Sequence, residues 1–152
     1  MQWFATQGHP VTGLDRAPAA IQAASGFGEA VLADIENAPW PLMQSGQIRQ
    51  FGAVIVTNYL WRPLFGVMLQ SLAPGGVLIY ETFAQGQETV GKPSNPEFLL
   101  RPNELLTAFK SLHVVAFEDG FLEDPPHFVQ RIAAVRPDFV DQTQQTPARY
   151  TL

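Results

Sequence analysis

Two carboxylates, Asp15 and Asp34, are the side chains of this sequence whose position best suits ligand chemistry. Each comes at the end of a short apolar segment, 11–15 in one case and 29–34 in the other. An acid at a strand end can accept two hydrogen bonds from the vicinal hydroxyls of a ribose, which suits Asp15. Asp34 can accept one from the exocyclic amine of an adenine, while the backbone at Ile35 meets the ring edge. The pair predicts a nucleoside site, although acids in solvated turns occupy strand ends equally often.

Alternating strands and helices must bring these carboxylates together. Apolar runs and helical spacing distinguish the two kinds of segment, with Pro18 suited to a first helical turn and Gly26 to a helix end. Residues 84–95 are polar and without a period, which predicts a long loop of the kind that forms lids or binding loops. The pattern predicts strands at 11–15, 29–34, 51–58, 77–82, 112–118 and 128–135, helices at 17–24, 63–72 and 101–110, and one or two helical turns in 42–50.

The order of these segments predicts the fold class. It is α/β, with a Rossmann-like, mostly parallel sheet, helices on both faces of the sheet and an antiparallel C-terminal strand pair. In such sheets, ligands bind beyond the carboxyl ends of the strands. Besides the two acids, that edge carries Thr57, Asn58, Tyr59, Glu81 and Thr82.

Composition excludes several kinds of protein. The 152 residues carry a formal net charge of −5 and no cysteine, which removes disulfides, thiolate metal sites and cysteine nucleophiles. An acidic domain is a poor binder of a phosphate backbone, so we expect no nucleic-acid partner. Because the sequence has neither a long apolar stretch nor a signal-peptide pattern, we expect no membrane span and a cytoplasmic protein. The histidines lack the spacing of metal ligands, so we expect no metal site.

Four stretches of the sequence resemble class I S-adenosylmethionine-dependent methyltransferases. They are 11–16 (VTGLDR), 33–36 (ADIE), 51–60 (FGAVIVTNYL) and 72–79 (LAPGGVLI), and the last is the most recognisable. Two more, 59–64 (YLWRPL) and 80–83 (YETF), are similar to the bacterial small-molecule branch related to tellurite-resistance methyltransferases. The resemblance runs from residue 7 to residue 136, which predicts one domain at 1–137 and a polar C-terminal tail at 138–152.

The resemblance implies S-adenosylmethionine as the cofactor. The family's acid after the second strand binds the ribose, which here implies Asp15 with its neighbour Arg16. The acid after the third strand binds the adenine, which implies Asp34 with Ile35 beside it.

The resemblance also implies a reaction. The fourth-strand end of the family lies next to the methionine part of the cofactor and the acceptor, and the matching residues are Thr57, Asn58 and Tyr59. Of these, Thr57 and Asn58 are expected to contact the cofactor, and Tyr59 is expected to be the catalytic residue. The reaction is direct methyl transfer to an unknown small-molecule acceptor, helped by proximity and alignment of the reacting atoms.

One part of the family's pattern is missing from this sequence. The family has a Gly-rich loop after its first strand, whereas residues 26–28 (GFG) follow a helix and suit a helix end. Residues 2–10 match the end of the helix that follows that loop. We therefore expect an N-terminally truncated domain without the first strand and the Gly-rich loop, and neighbouring strands that lack a partner.

Two alternatives stand beside the methyltransferase. A non-catalytic nucleotide-binding protein or scaffold remnant would depend on a partner chain for the missing strand, or would self-associate through the incomplete sheet. A nicotinamide-dependent oxidoreductase would need a Gly-x-Gly-x-x-Gly loop, which this sequence lacks.

Overall fold

Residues 1–138 are described by the structure, a computed structural model, in two units that divide after Ile48. Most of the predicted C-terminal tail, residues 139–152, lies outside the described residues. The prediction of one domain over 1–137 stays a prediction, and each unit is described by itself.

The N-terminal unit is built around two parallel strands. Its β1 and β2 pair in parallel with Asp15 opposite Leu32, and the helix between them begins at Pro18, as predicted from its place in a first turn. The strand–helix–strand prediction for 11–34 is therefore confirmed. The elements are α1 (Gln2–Thr6), β1 (Thr12–Asp15), α2 (Pro18–Ala24), a short 3₁₀ helix (Ser25–Phe27), β2 (Glu29–Leu32), β3 (Met43–Gln44) and β4 (Gln47–Ile48).

The helical turns predicted for residues 42–50 are wrong. This segment contains a β-hairpin in which β3 and β4 pair antiparallel through a two-residue turn. Both turn residues have positive φ, 52° at Ser45 and 78° at Gly46. Two positive-φ residues form the turn whose twist matches that of two antiparallel strands, so the backbone at 45–46 ends any helical path there.

The C-terminal unit holds a four-stranded sheet in the order β5-β6-β8-β7. The pair β5–β6 is parallel, whereas β6–β8 and β7–β8 are antiparallel, which confirms the predicted antiparallel C-terminal pair. The elements are β5 (Phe51–Thr57), a 3₁₀ helix (Arg62–Leu64), α3 (Phe65–Gln70), β6 (Leu72–Phe83), two 3₁₀ helices (Gln87–Thr89 and Pro96–Phe98), α4 (Glu104–Ala108), β7 (His113–Glu123) and β8 (Pro126–Val135).

The α/β class is confirmed, but the strands are divided among three sheets in residues 1–138. Parallel pairing joins β1 to β2 in the N-terminal unit and β5 to β6 in the C-terminal unit. The Rossmann-like arrangement of one mostly parallel sheet with helices on both faces, and the missing first strand, stay predictions.

The Pro-Gly-Gly element lies inside β6 instead of before it. The register of β5 with β6 jumps from Phe51↔Leu72 to Ala53↔Val77, so residues 73–76 form a bulge. Gly75 has a φ of 73°, and a Cβ on Gly76 would lie 2.8 Å from the Ala73 carbonyl oxygen. Glycine is therefore required at the bulge for backbone reasons, and the strand starts earlier than the predicted residue 77.

One face of the four-stranded sheet is covered by helices. The ring of Tyr80, fully buried in β6, contacts Phe65 of α3 and Phe109, which follows α4. On the opposite face, Ile55 and Ile79 pair across β5 and β6 and remain 40% and 42% exposed. The core of this unit therefore lies between the sheet and α3 and α4.

Candidate functional site

The carboxyl ends of β1 and β2 bring the two predicted acids together. The carbonyl oxygen of Asp15 accepts a 3.0 Å hydrogen bond from the N–H of Ala33, the residue before Asp34. Hydrogen bonds from Asn37 and Glu36 lower the pKa of Asp34, and the positive charge of Arg16 adds a smaller effect in the same direction. The four predicted cofactor residues of this unit, namely Asp15, Arg16, Asp34 and Ile35, therefore share one edge of the β1–β2 pair.

One carboxylate oxygen of Asp15 accepts a hydrogen bond at the start of α2. Its Oδ1 accepts a 2.8 Å hydrogen bond from the N–H of Ala17, just before the helix begins. Within residues 1–138, its Oδ2 accepts no hydrogen bond, and the residue is exposed. Because a carboxylate oxygen can accept two hydrogen bonds, Asp15 retains the capacity to bind a pair of hydroxyls.

The Asp34 carboxylate accepts hydrogen bonds within its own turn, which the sequence did not indicate. Its Oδ1 accepts from the N–H groups of Glu36 and Asn37 at 3.1 and 3.3 Å, and its Oδ2 accepts from Asn37 Nδ2 at 2.9 Å. Hydrogen bonds from the Asn37 side chain and the Glu36 N–H lower the pKa of Asp34. One acceptor position on Oδ2 remains, and the Ile35 N–H donates no hydrogen bond within the described residues. Together these two groups can still meet an amine and a ring nitrogen.

An apolar depression of about 200 Å³ lies beside Asp15 between β1 and α2. Its lining includes Gly13, Leu14 and Ile21, and Asp15 supplies the one charged side chain in it. No local pattern predicts this depression, because its lining residues come from different elements.

The carboxyl end of β5 carries the other three predicted residues. Thr57 is the last residue of the strand, and the Asn58 N–H donates a 3.0 Å hydrogen bond to the carbonyl oxygen of Glu81 on β6. Asn58 has a φ of 54°, a left-handed conformation that asparagine tolerates better than most residues. This backbone turn ends β5 and directs the chain to Tyr59, which is half-buried.

A buried phenol holds the backbone of Tyr59. The Tyr80 hydroxyl donates a 2.8 Å hydrogen bond to the Tyr59 carbonyl oxygen. Burial, with the nearby Tyr59 phenol, raises the pKa of Tyr80, so this hydroxyl stays protonated and remains a donor. The position of Tyr59 is therefore fixed through its main chain.

An ion pair that the sequence did not reveal lies close to these tyrosines. Arg62 Nε lies 2.6 Å from Glu104 Oε1, and Arg62 Nη2 lies 3.0 Å from Glu104 Oε2. Burial disfavours the Glu104 carboxylate, but hydrogen bonds from Arg62 and from the Arg101 N–H outweigh it and lower the pKa of Glu104. Glu104 in turn raises the pKa of Arg62. The partners are 42 residues apart, so no local pattern predicts the pair.

Glu81, on the predicted ligand-binding edge, is engaged by a neighbouring strand. Its Oε2 lies 2.6 Å from Nε of Arg131, the residue opposite it on β8. The Arg131 guanidinium also reaches Glu118 on β7 at 3.2 Å. This cross-strand arrangement assigns Glu81 a structural contact that the sequence did not reveal.

Two groups of predicted site residues thus exist, one in each unit. Asp15, Arg16, Asp34 and Ile35 are together at the ends of β1 and β2, and Thr57, Asn58 and Tyr59 are together at the end of β5. That both groups serve one ligand stays a prediction. In the described part of the chain, no cluster of three or more histidines or acids is arranged to hold a metal ion. None of the helices in residues 1–138 has the length and apolarity that a membrane crossing needs.

Known proteins share the fold of this chain but little of its sequence. Comparisons with protein-family models and with curated proteins find no match. The crystal structure of TehB from Haemophilus influenzae is similar with a TM-score of 0.67 at 16% identity, over 88% of this chain and 52% of TehB. This chain therefore spans about half the length of TehB.

Two further structures carry methyltransferase names. A SAM-dependent methyltransferase from Methanosarcina mazei is similar with a TM-score of 0.64 at 16% identity, over 89% of this chain and 85% of that one. The Burkholderia thailandensis 1,6-didemethyltoxoflavin-N1-methyltransferase, solved with S-adenosylhomocysteine, is similar with a TM-score of 0.58 at 16% identity, over 90% of this chain and 65% of that one. The chain has the fold of class I S-adenosylmethionine-dependent methyltransferases, which confirms the resemblance at the level of the fold.

Proposed function

We propose that this chain binds S-adenosylmethionine and transfers its methyl group to a small-molecule acceptor. The observation that carries the proposal is the backbone hydrogen bond between Asp15 and Ala33, because it joins the two strand ends from which the carboxylates of Asp15 and Asp34 project. Two acids at adjacent strand ends suit the ribose and the adenine amine of one nucleoside. The fold shared with methyltransferases selects S-adenosylmethionine among nucleosides.

The residues present fit this cofactor. Asp15 has a free Oδ2 for the ribose hydroxyls, and Asp34 has one remaining acceptor position for the adenine amine. The Ile35 N–H is the donor for the adenine ring, and Arg16 lies beside the same edge. Thr57 and Asn58 contact the methionine part in this proposal.

Tyr59 is proposed to orient the acceptor. When bound, S-adenosylmethionine supplies an activated methyl group on a sulfonium centre. The protein's part is to align the acceptor atom with that methyl group, since alignment contributes most of the catalysis in a direct transfer. The Tyr80 hydrogen bond, which fixes the main chain of Tyr59, supports this role. The Burkholderia enzyme, whose crystals hold 1,6-didemethyltoxoflavin, supports an acceptor that is a small molecule.

Calorimetry with the 152-residue chain tests cofactor binding. We expect S-adenosylmethionine to bind, and Asp15→Asn and Asp34→Asn each to weaken it roughly 10- to 100-fold, because each removes a charged hydrogen-bond acceptor. Asparagine keeps an oxygen for the Ala17 or Glu36 N–H, so both variants retain their local turns. Glu118→Gln, which removes an exposed carboxylate in the other unit, is the matched control and should bind normally. Absence of heat with folded wild-type protein would reject the proposal, as would undiminished affinity in both aspartate variants.

A second candidate is a nucleoside-binding protein that a partner chain completes. In residues 1–138, β5 pairs only with β6, so the N–H and C=O groups along its other edge have no strand partner. The apolar face at Ile55 and Ile79 is adjacent to that edge. A second chain could add a strand there by main-chain hydrogen bonds. Light scattering that gives a monomer, together with methyl transfer by that monomer, would reject this candidate.

A further inference from the structure

The segment between β6 and α4 is long and lacks regular strands, yet buried side chains hold its ends. Gln87 is 4% exposed, and it accepts from the Phe128 N–H at 3.0 Å and donates to the Lys92 carbonyl at 3.0 Å. Gln130 is fully buried, and its Nε2 donates to the Arg101 carbonyl at 2.6 Å. A buried amide with both ends satisfied specifies one backbone path.

Arg62 donates hydrogen bonds to backbone carbonyls in the later part of this segment. Its Nη1 donates to the Glu97 carbonyl at 2.7 Å and its Nη2 to the Leu99 carbonyl at 2.9 Å, in addition to the paired contacts with Glu104. Glu104 Oε2 also accepts from the Arg101 N–H at 2.8 Å. One guanidinium thus binds two carbonyls and a carboxylate at once, which the planar, five-donor group can do and an ammonium cannot.

The opposite side of the segment is bonded to the end of β6. The Leu100 N–H donates to the Phe83 carbonyl at 2.9 Å, and the Gln85 N–H donates to the Leu100 carbonyl at 2.9 Å. Leu99 and Leu100 are 1% and 0% exposed. Residues 97–101 are therefore bonded on both sides, in contrast to the mobile backbone that a lid requires.

We infer that Arg62 is a positioning residue that fixes residues 96–101 as a permanent wall beside Tyr59, so that this side of the acceptor site is formed before any ligand binds. Arg62 follows Tyr59 by three residues, and both side chains lie close enough to Tyr80 to affect its pKa. The assignment of this wall to the acceptor rests on the proposed function. The sequence predicted a lid or binding loop at 84–95, directly before these residues, and the contacts at 96–101 favour a fixed binding surface.

Amide hydrogen exchange on the ligand-free 152-residue chain tests the wall. We expect the amides of Leu99 and Leu100 to exchange within about tenfold of those in the middle of β6, and to be unchanged by saturating S-adenosylmethionine. Arg62→Lys should speed exchange at 96–101 by roughly tenfold or more, and leave 129–134 in β8 unchanged. Arg101→Lys makes the same chemical change at a residue whose hydrogen bonds in the described residues are made by its backbone. Lysine also keeps the positive charge that acts on Glu104, so this variant should alter nothing.

Two further variants separate positioning from charge neutralisation. Arg62→Leu combined with Glu104→Gln removes the ion pair without leaving an unpaired charge, and the glutamine oxygen can still accept from the Arg101 N–H. If Arg62 only neutralises Glu104, this double variant exchanges as slowly as wild type, which would overturn the inference. If Arg62 holds the carbonyls of Glu97 and Leu99, exchange at 96–101 stays fast.

A spectroscopic readout tests the effect on Tyr59 itself. The chain has three tyrosines, so 3-fluorotyrosine labelling gives three resonances that Tyr→Phe variants assign. We expect Arg62→Lys to shift the Tyr59 resonance and Arg101→Lys to leave it in place; an unmoved Tyr59 resonance contradicts the inference. The exchange measured without ligand and the spectroscopic comparison do not need cofactor binding. Fast wild-type exchange at 96–101 therefore rejects the wall alone, whereas absent calorimetric heat rejects the proposed function alone.

Discussion

The phenol of Tyr80 and the main chain of Tyr59 are joined by a hydrogen bond of 2.8 Å, from a side chain in the middle of β6 to the segment that follows β5. Tyr80 is fully buried, and its ring packs against Phe65 and Phe109. The contact connects the core of the C-terminal unit directly to the backbone of the proposed acceptor residue. A substitution in the core at Tyr80 can therefore change the backbone position of Tyr59 although no surface residue is replaced.

Replacing Tyr80 by Phe should destabilise the protein by roughly 1–2 kcal/mol, because it removes the donor and leaves the Tyr59 carbonyl unsatisfied. Urea unfolding followed by circular dichroism measures this cost. Thr107→Val is the control, since it removes a hydroxyl that donates to a carbonyl at an exposed helix position. A loss for Tyr80→Phe no larger than for this control would show that the buried bond adds nothing.

Removing the Tyr59 hydroxyl with Tyr59→Phe should lower kcat for methyl transfer by roughly tenfold or more, because the acceptor loses a positioned partner. Affinity for S-adenosylmethionine should stay within about twofold of wild type, since the proposed cofactor contacts lie elsewhere. The assay measures transfer of a tritiated methyl group to a panel of thiols, amines, hydroxyls and carboxylates. Equal kcat in wild type and Tyr59→Phe would remove Tyr59 from the mechanism.

The Arg62–Glu104 pair makes stability depend on acidic pH. Because the pKa of Glu104 is lowered in the folded state, its contribution is fully present above the unfolded pKa and is lost as the pH falls through the folded pKa. At neutral pH, Glu104→Gln should cost roughly 1–2 kcal/mol, the value of a charge-assisted hydrogen bond.

Urea unfolding at several pH values between about 6 and 2 checks this, because the wild-type and Glu104→Gln curves should converge as Glu104 becomes protonated. Glu118→Gln, at an exposed position where the carboxylate pairs with Arg131, serves as the comparison and should show a much smaller difference at every pH. A constant gap between Glu104→Gln and wild type across the series would contradict the ionic role of the pair.

The bulge at residues 73–76 should not tolerate a side chain at Gly76. A Cβ there would lie 2.8 Å from the Ala73 carbonyl oxygen and 3.0 Å from the Phe51 carbonyl oxygen, both of which belong to the backbone. We expect Gly76→Ala to cost roughly 2 kcal/mol or more. Gly66→Ala, in α3 with nothing within 4 Å of the added Cβ, should instead stabilise by about 0.5–1 kcal/mol. Thermal unfolding compares the two, and equal melting temperatures would count against the bulge.

The sequence predicts elements well where the signals are local. The strand ends at Asp15 and Asp34 follow from short apolar runs, with Pro18 opening the helix between them. The hairpin at 43–48 was missed because a Ser-Gly turn between two-residue strands offers too few residues for a period. The Pro-Gly-Gly element was predicted to precede the strand, whereas it forms a bulge inside β6, and that role depends on pairing with β5.

The parts of the site that could not be predicted depend on distant contacts. Gln87, Gln130 and Arg62 each bind backbone groups far along the chain, across 41, 29 and up to 37 residues. Such bonds leave no periodicity in the segment that they order. The segment 84–95 was therefore interpreted as an irregular loop, although the buried Gln87 bonds to Lys92 within it and to Phe128 on β8. Asp34 is the opposite case. Its residue type predicted ligand binding, but the sequence did not show that its carboxylate bonds to Asn37 in a local turn.

The composition of β5 has a consequence for handling the protein. The strand reads FGAVIVT, without a charge or a proline, and in residues 1–138 it is the last strand on its side of the sheet. Natural edge strands usually carry a lysine, a proline or a twist that prevents other copies from adding on. Without such a gatekeeper, β5 is the segment from which we expect aggregation to start when the protein is concentrated or heated.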